Sequence, residues 1–398
     1  MDYEKITKLA LQYGTPTYVF FEDILFDLTE KIRRNFPDNT GLCFAMKANP
    51  FLAGSFSHMV DRLEVCSPGE YEICIREKIA PERLVVSGVS KRVEDMKRIL
   101  SYSQGKGFYT IESPMQYRIL RDCSRDIGVK LKVYLRLSAK NQFGMDKETL
   151  ENVLQELIAD DALELAGIHY YSGTQKKMDK VEKELAMLME YAGYLKETYG
   201  IPDVELEYGP GLGISYFEGE NSTGLDSIET IEEFGRLLKK VSGLHITIEL
   251  GRFLTAECGV YMTRIMDIKK SDGMGYMIVD GGIHQINYYG QLMGMKKPYI
   301  KLLKMSEEQG DASITKWTIC GSLCTANDVL VRGAAQEDYA VGDVLVFERC
   351  GAYSVTEGMA LFLSRELPRV ILVGKDESVE ILRDKIEINT LNSSKEDK

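Results

Sequence analysis

An apolar run, Gly41-Leu42-Cys43-Phe44-Ala45-Met46, ends on a single lysine, Lys47, and Ala48-Asn49-Pro50 then breaks it. Such a pattern predicts a buried strand whose C-terminal end presents an amine. Inside an apolar pocket that amine loses solvation, its pKa falls, and its neutral form becomes a usable nucleophile. Reaching into water, it is an ordinary strand-end lysine, and the run alone leaves both readings open.

Four more segments place polar groups after apolar runs. Glu207-Tyr208-Gly209-Pro210-Gly211-Leu212-Gly213 is a glycine-rich turn, able to close backbone N–H groups on a phosphate or simply to turn tightly. Glu249-Leu250-Gly251-Arg252 offers a carboxylate and an oxyanion-clamping guanidinium, or a rim salt bridge. Cys320-Gly321-Ser322-Leu323-Cys324-Thr325-Ala326-Asn327-Asp328 holds two cysteines in a turn, where a structural thiol is the more usual explanation. Gly351-Ala352-Tyr353 is a turn bearing an aromatic hydroxyl.

Strand-like runs alternate with amphipathic helical stretches over residues 15–255. The runs are Thr17–Phe21, Leu42–Met46, Arg62–Val65, Leu84–Val86, Gly107–Ile111, Lys130–Leu137, Glu164–His169, Val204–Tyr208 and His245–Glu249. Repeated strand-helix units with apolar strands predict a parallel sheet, and about eight of them close into a (β/α)8 barrel with its active site at the strand C-terminal ends. Residues 256–388 change texture to close-spaced strands with frequent turns, which predicts an antiparallel β domain, with residues 1–14 free to join it. The polar residues 389–398 read as a disordered tail.

Composition bounds the function. Hydrophobic residues at 44% and charged residues at 28% suit a globular protein, and no apolar stretch is long enough to span a membrane. The net charge of −12 argues against generic nucleic-acid or anionic-membrane binding. Eight scattered cysteines without a CxxC pair, and a start lacking a signal-peptide pattern, predict a cytoplasmic protein with free thiols. The four histidines show no ligand spacing, so no metal site is expected.

Together the motifs resemble the fold-type III pyridoxal-phosphate decarboxylases, the diaminopimelate/ornithine decarboxylase family, whose barrel is also that of alanine racemase. AMKANP resembles the Schiff-base motif, which implies that Lys47 carries pyridoxal 5'-phosphate. By the same resemblance Gly209, Gly211, Gly251, Arg252 and Tyr353 belong to the cofactor site, with Glu249 paired to the pyridine nitrogen. Arg136 and Gln142-Phe143-Gly144 keep part of another family pattern. The resemblance implies α-decarboxylation through a Schiff base and a quinonoid, protonation by Cys324 of the partner subunit, and hence a homodimer with shared active sites. Asp328 closes the family's cysteine motif.

Three positions depart from the family. In His169-Tyr170-Tyr171-Ser172-Gly173-Thr174-Gln175, Tyr171 stands where the family stacks a histidine on the cofactor, and Thr174 where it has a phosphate-contacting serine. Thr325 replaces the glutamate, and Tyr288 the arginine, with which diaminopimelate decarboxylases grip the tail of their substrate. These changes point to a substrate whose distal end is neutral or masked, by citryl conjugation or by a thioester to an acyl or peptidyl carrier protein. Lys296, Lys297, Lys301 and Lys304 form a basic segment that either meets such an acidic carrier or is a solvated face. Diaminopimelate decarboxylase is the alternative. An amino-acid racemase is opposed by Glu249, and a non-catalytic partner-binding relative by the presence of Lys47 and Cys324.

Overall fold

The computed structural model describes residues 1–201, 204–219, 226–241, 244–288, 294–310, 314, 316–334 and 337–394. The chain divides into two units. One comprises Asp27–Ile214 and Ser222–Leu254, the other Met1–Phe26, Ser215–Asn221 and Thr255–Lys398. Among the described residues, no helix is long and apolar enough to cross a membrane.

The first strand, β1 (Thr17–Phe21), is fully buried and pairs antiparallel with a later strand and parallel with another. It is not part of the barrel, where the alternation of strands and helices had put it. The barrel is built from β2 (Thr40–Ala45), β3 (Arg62–Val65), β4 (Leu84–Val86), β5 (Phe108–Ile111), β6 (Leu131–Arg136), β7 (Leu163–Tyr171), β8 (Glu205–Gly209) and β9 (Ile246–Leu250). These strands close in sequence order, β9 pairing in parallel with β2. Most residues in them are buried, as a parallel sheet covered by helices requires. Helix starts are marked locally. Ser67 and Ser113 each accept a hydrogen bond from the third residue on, with proline at the first helical position, and Asp226 and Glu229 form a capping box.

Charge fills part of the barrel interior. Arg62 on β3 donates to both carboxylate oxygens of Glu205 on β8, at 2.7 and 3.2 Å, and to the Tyr134 hydroxyl on β6. Its guanidinium lies 3.9 Å from the Phe108 ring centroid. None of these strands neighbours β3 in the sheet, so the contacts cross the interior.

The second unit is a nine-stranded sheet. Its further strands are β10 (Gly259–Ser271), β11 (Met274–Val279), β12 (Ile300–Leu303), β13 (Trp317–Cys320), β14 (Val329–Ala334), β15 (Val344–Phe347), β16 (Arg369–Val373) and β17 (Val379–Arg383). Most of its pairings are antiparallel, as expected; the parallel ones are β1 with β16 and β11 with β13. The N-terminal helix Tyr3–Tyr13 buries Ile6, Leu9 and Ala10 in the same cluster as Val19, Val260, Val344 and Ile371. Part of the basic segment proves to be β12, and Lys304 is engaged by Asp343 at 2.8 Å and Asp338 at 3.5 Å. In the expected tail, Asn389–Leu391 forms a 3-10 turn, and residues 395–398 lie outside those described.

The Arg62–Glu205 pair yields a stability prediction. Burial pushes the Glu205 carboxyl up, but Arg62 and hydrogen bonds from Thr247 and Tyr134 hold it below its ordinary value. Its contribution is therefore complete above the unfolded value of about 4.3 and fades as pH falls through the lower folded value. Removing one partner strands the other: Arg62→Met is expected to cost about 3–5 kcal/mol in denaturant unfolding at neutral pH. Arg62→Met/Glu205→Gln should recover part of that loss. Equal stability of Arg62→Met and the parent would remove the pair from the account.

Candidate active site

Lys47 does not close β2 as a strand residue. It sits in a 3-10 turn, Met46–Ala48, immediately beyond it. The close approach of Gly251 shapes that turn, since a Cβ there would lie 3.1 Å from the Ala48 Cβ and 3.2 Å from the Ala45 carbonyl oxygen. The Lys47 side chain is 36% exposed, and its surroundings are ionic, not the apolar pocket expected. Its Nζ lies 2.7 Å from Glu64 Oε2, 3.5 Å from Glu249 Oε1, 3.7 Å from Cys66 Sγ and 6.0 Å from the Tyr171 ring centroid.

Glu249, near the end of β9, is the buried counter-charge. Its Oε2 lies 3.0 Å from His169 Nε2 on β7. Burial pushes its carboxyl up, but Lys47, the His169 hydrogen bond and Arg136 outweigh burial and hold it well below the usual carboxylate range. Arg136, ending β6, donates to Glu112 at 3.0 Å and lies 4.9 Å from the Phe143 ring centroid. Glu207 on β8 is the opposite case. Both its oxygens are buried without a hydrogen-bond partner, and burial together with the charge of Glu249 pushes its carboxyl far up.

Two loops of this unit meet beside the Tyr171 ring. Gly211 takes a left-handed φ of +62°, and a Cβ there would fall 2.0 Å from the Gly173 carbonyl oxygen. A Cβ on Gly209 would fall 2.6 Å from the Tyr171 ring. Among the described residues, no hydrogen bond is formed by the amides of Gly211 and Leu212. Thr174 lies in the facing loop, half-buried. Arg252 begins the short helix Arg252–Thr255.

The second unit carries the remaining sequence-predicted residues. Cys324 is exposed, and Thr325 is half-buried beside it. Tyr353 has a left-handed φ of 64° and is half-buried. Asp328 and Tyr288, the remaining candidates for contact with the substrate, are both buried. Asp328 is 2% exposed, and its carboxylate accepts from the backbone N–H groups of Ile283 (2.9 Å) and Leu323 (2.8 Å). Tyr288 is 1% exposed, packs edge-on to Tyr216 and Phe217, and donates its hydroxyl to the Glu348 carbonyl oxygen at 2.7 Å.

Chemically, the barrel unit offers an amine between two carboxylates, a carboxylate kept ionised, an aromatic face, and a glycine turn with open amides. Residues 25–256 match the family described as "Pyridoxal-dependent decarboxylase, pyridoxal binding domain", which is more than half the chain. The chain belongs to this family. The L-glutamyl-[BtrI acyl-carrier protein] decarboxylase of Niallia circulans is 26% identical to it, over 97% of this chain and 94% of the relative. The diaminopimelate decarboxylase of Zymomonas mobilis is 27% identical, over 94% and 91% respectively. Among solved structures, diaminopimelate decarboxylase from M. jannaschii in complex with L-lysine superposes with a TM-score of 0.82, at 22% identity over 97% of this chain and 93% of that one.

The protein is thus a pyridoxal-phosphate-dependent amino-acid decarboxylase. The donor set fits that cofactor: an amine for an aldehyde, an ionised carboxylate for a protonated ring nitrogen, and amides on a left-handed turn for a phosphate. Sequence reasoning missed Glu64, Cys66 and His169 as neighbours of this centre. Glu64 carried a usable signal, being the lone carboxylate in the strand Arg62–Val65 and two residues from its basic start. His169 opened the family segment that holds Tyr171 and Thr174, and Cys66 carried no signal beyond its position at a strand end.

Borohydride reduction of the cofactor-loaded protein followed by peptide mapping should place the pyridoxyl mass on Lys47. Lys91 and Lys176 are also buried in the barrel unit. A label on either of them would displace Lys47 from its role.

Proposed function

We propose that the protein removes the α-carboxylate of an amino acid whose distal end is neutral or covalently masked, as in an acidic amino acid thioesterified to a carrier protein. The supporting observation is that no charged side chain occupies the two tail-reading positions. Thr325 is neutral, and Tyr288 is sealed in the core of its unit with its hydroxyl spent on Glu348. A charged substrate tail would find no counter-charge at either position, and desolvating an unpaired charge costs several kcal/mol. The Niallia circulans relative, by its name, acts on a carrier-bound glutamyl group, which favours this reading over free diaminopimelate.

When bound, the cofactor supplies the electron sink that lets carbon dioxide leave. Lys47 would hold it through Nζ, and Glu64, 2.7 Å from that nitrogen, would hold a proton there. Glu249, ionised by its neighbours, would accept a hydrogen bond from a protonated pyridine nitrogen, while His169 fixes the carboxylate through Nε2. Tyr171 covers the ring. Gly209, Gly211, Thr174 and Arg252 would take the phosphate, and Arg136 adds positive charge toward Glu249. Cys324 returns a proton to Cα, acting across a homodimer whose subunits share active sites. Lys296, just before β12, and Lys301, on it, are exposed and are the side chains we assign to an acidic carrier.

Cys324→Ala should retain the cofactor's visible absorbance but form the amine product more slowly, with more cofactor lost as its amine form. Undiminished turnover with clean product would move the acid elsewhere, Cys320 first. In steady-state kinetics, free meso-diaminopimelate should show a kcat/KM at least about a hundredfold below that of the carrier-bound acidic amino acid. Ordinary efficiency on free diaminopimelate would overturn the masked-tail reading. Tyr288→Arg should not repair that deficit, because it would bury a guanidinium among Tyr216, Phe217 and Cys350.

A further inference from the structure

A phosphate is held by N–H groups and repelled by carbonyl oxygens, so a turn that binds one must point its acceptors away. In the glycine turn the acceptors are taken from behind by the loop that follows β7. The Lys176 amide donates to the Gly211 carbonyl oxygen at 3.0 Å. Its Nζ approaches the Gly209 carbonyl oxygen at 3.4 Å. Gln175 grips both backbone groups of Ile214, its Nε2 donating to the carbonyl oxygen at 2.7 Å and its Oε1 accepting from the N–H at 2.6 Å. The approach needs glycine, since a Cβ on Gly211 would meet Lys176 Cε at 2.9 Å.

The lysine that does this is 4% exposed, so its charge must be met locally. Glu184, on the helix Met178–Tyr199, meets it at 2.7 Å, and Ser172 Oγ stands 2.9 Å away. The Tyr208 hydroxyl donates to the same Glu184 oxygen at 2.8 Å, and Ser172 donates to the other. Lys176 Nζ also lies 5.8 Å from the Tyr171 ring centroid and 5.7 Å from that of Tyr208. The charge is thus balanced and hydrogen-bonded on all sides, and neither member is left to face a ligand.

We propose that Lys176, neutralised by Glu184 and assisted by Gln175, is a positioning residue that captures the carbonyl oxygens of the glycine turn and so makes its opposite face an anion cradle. The inference rests on assigning that turn to the cofactor phosphate. The pair acts on the phosphate end of the cofactor and not on its ring.

The test titrates cofactor-stripped full-length protein with pyridoxal 5'-phosphate and with pyridoxal, which lacks the phosphate. Lys176→Met/Glu184→Gln removes both charges at nearly constant volume, and Gln175→Glu replaces a donor with an acceptor facing the Ile214 carbonyl. Each should weaken pyridoxal 5'-phosphate at least about tenfold while changing pyridoxal less than about threefold. Inorganic phosphate should raise the melting temperature of the stripped parent and not of the variants. Equal weakening of both ligands would mean that the pair serves the fold at large, and unchanged affinities that it serves neither; both overturn the proposal. A parent protein that binds both ligands equally would instead refute the phosphate assignment, and the inference with it.

Discussion

Everything at the barrel mouth is arranged around one difficulty: keeping Glu249 ionised where water cannot reach it. A carboxylate removed from water is costly unless opposite charge and hydrogen-bond donors replace its hydration. Here the replacements come from Lys47 beyond β2, His169 on β7 and Arg136 on β6. Each depends on parallel register. Cys43 stands opposite Glu249 in the β2–β9 pairing, so the turn carrying Lys47 emerges beside the carboxylate. Gly251 then lets β9 and that turn come within van der Waals contact. A one-residue slip in β9 would turn Glu249 toward the covering helices and leave Lys47 with Glu64 alone.

Much of this was legible from periodicity. All eight barrel strands fall within or close to the apolar runs read from the sequence, because a sheet covered on both faces needs apolar residues on both. What periodicity does not encode is partnership. Thr17-Tyr18-Val19-Phe20-Phe21 is as apolar as any barrel strand, yet it lies between β10 and β16 in the other sheet. The pairing is fixed by residues some 240 and 350 positions away, a distance no local pattern can report. Lys301 and Lys304 were conspicuous as charges and concealed the strand Ile300–Leu303, whose alternate residues are apolar.

At the site, residue types announced themselves and their environments did not. Lys47 was evident as an amine ending a strand, but the carboxylates around it come from β3, the next strand, and from β9, far along the chain. Asp328 looked like a polar group in a chemical motif. It is instead a staple between two turns, filling the volume that a side chain on Gly282 or Gly321 would need. Tyr288 was correctly seen to be uncharged. That it is also inaccessible follows from Tyr216 and Phe217, which the chain brings in from another segment.

Glu207 couples folding to proton binding. In the unfolded chain its carboxyl titrates near an ordinary value of about 4.3. In the barrel both its oxygens are buried without a hydrogen-bond partner, and burial together with the charge of Glu249 pushes the carboxyl up. The native carboxyl therefore binds a proton more tightly than the unfolded one, and linkage makes this residue's contribution to stability fall as pH rises above the unfolded value. Acid, which weakens folds held by ionised carboxylates, relieves strain at this one position.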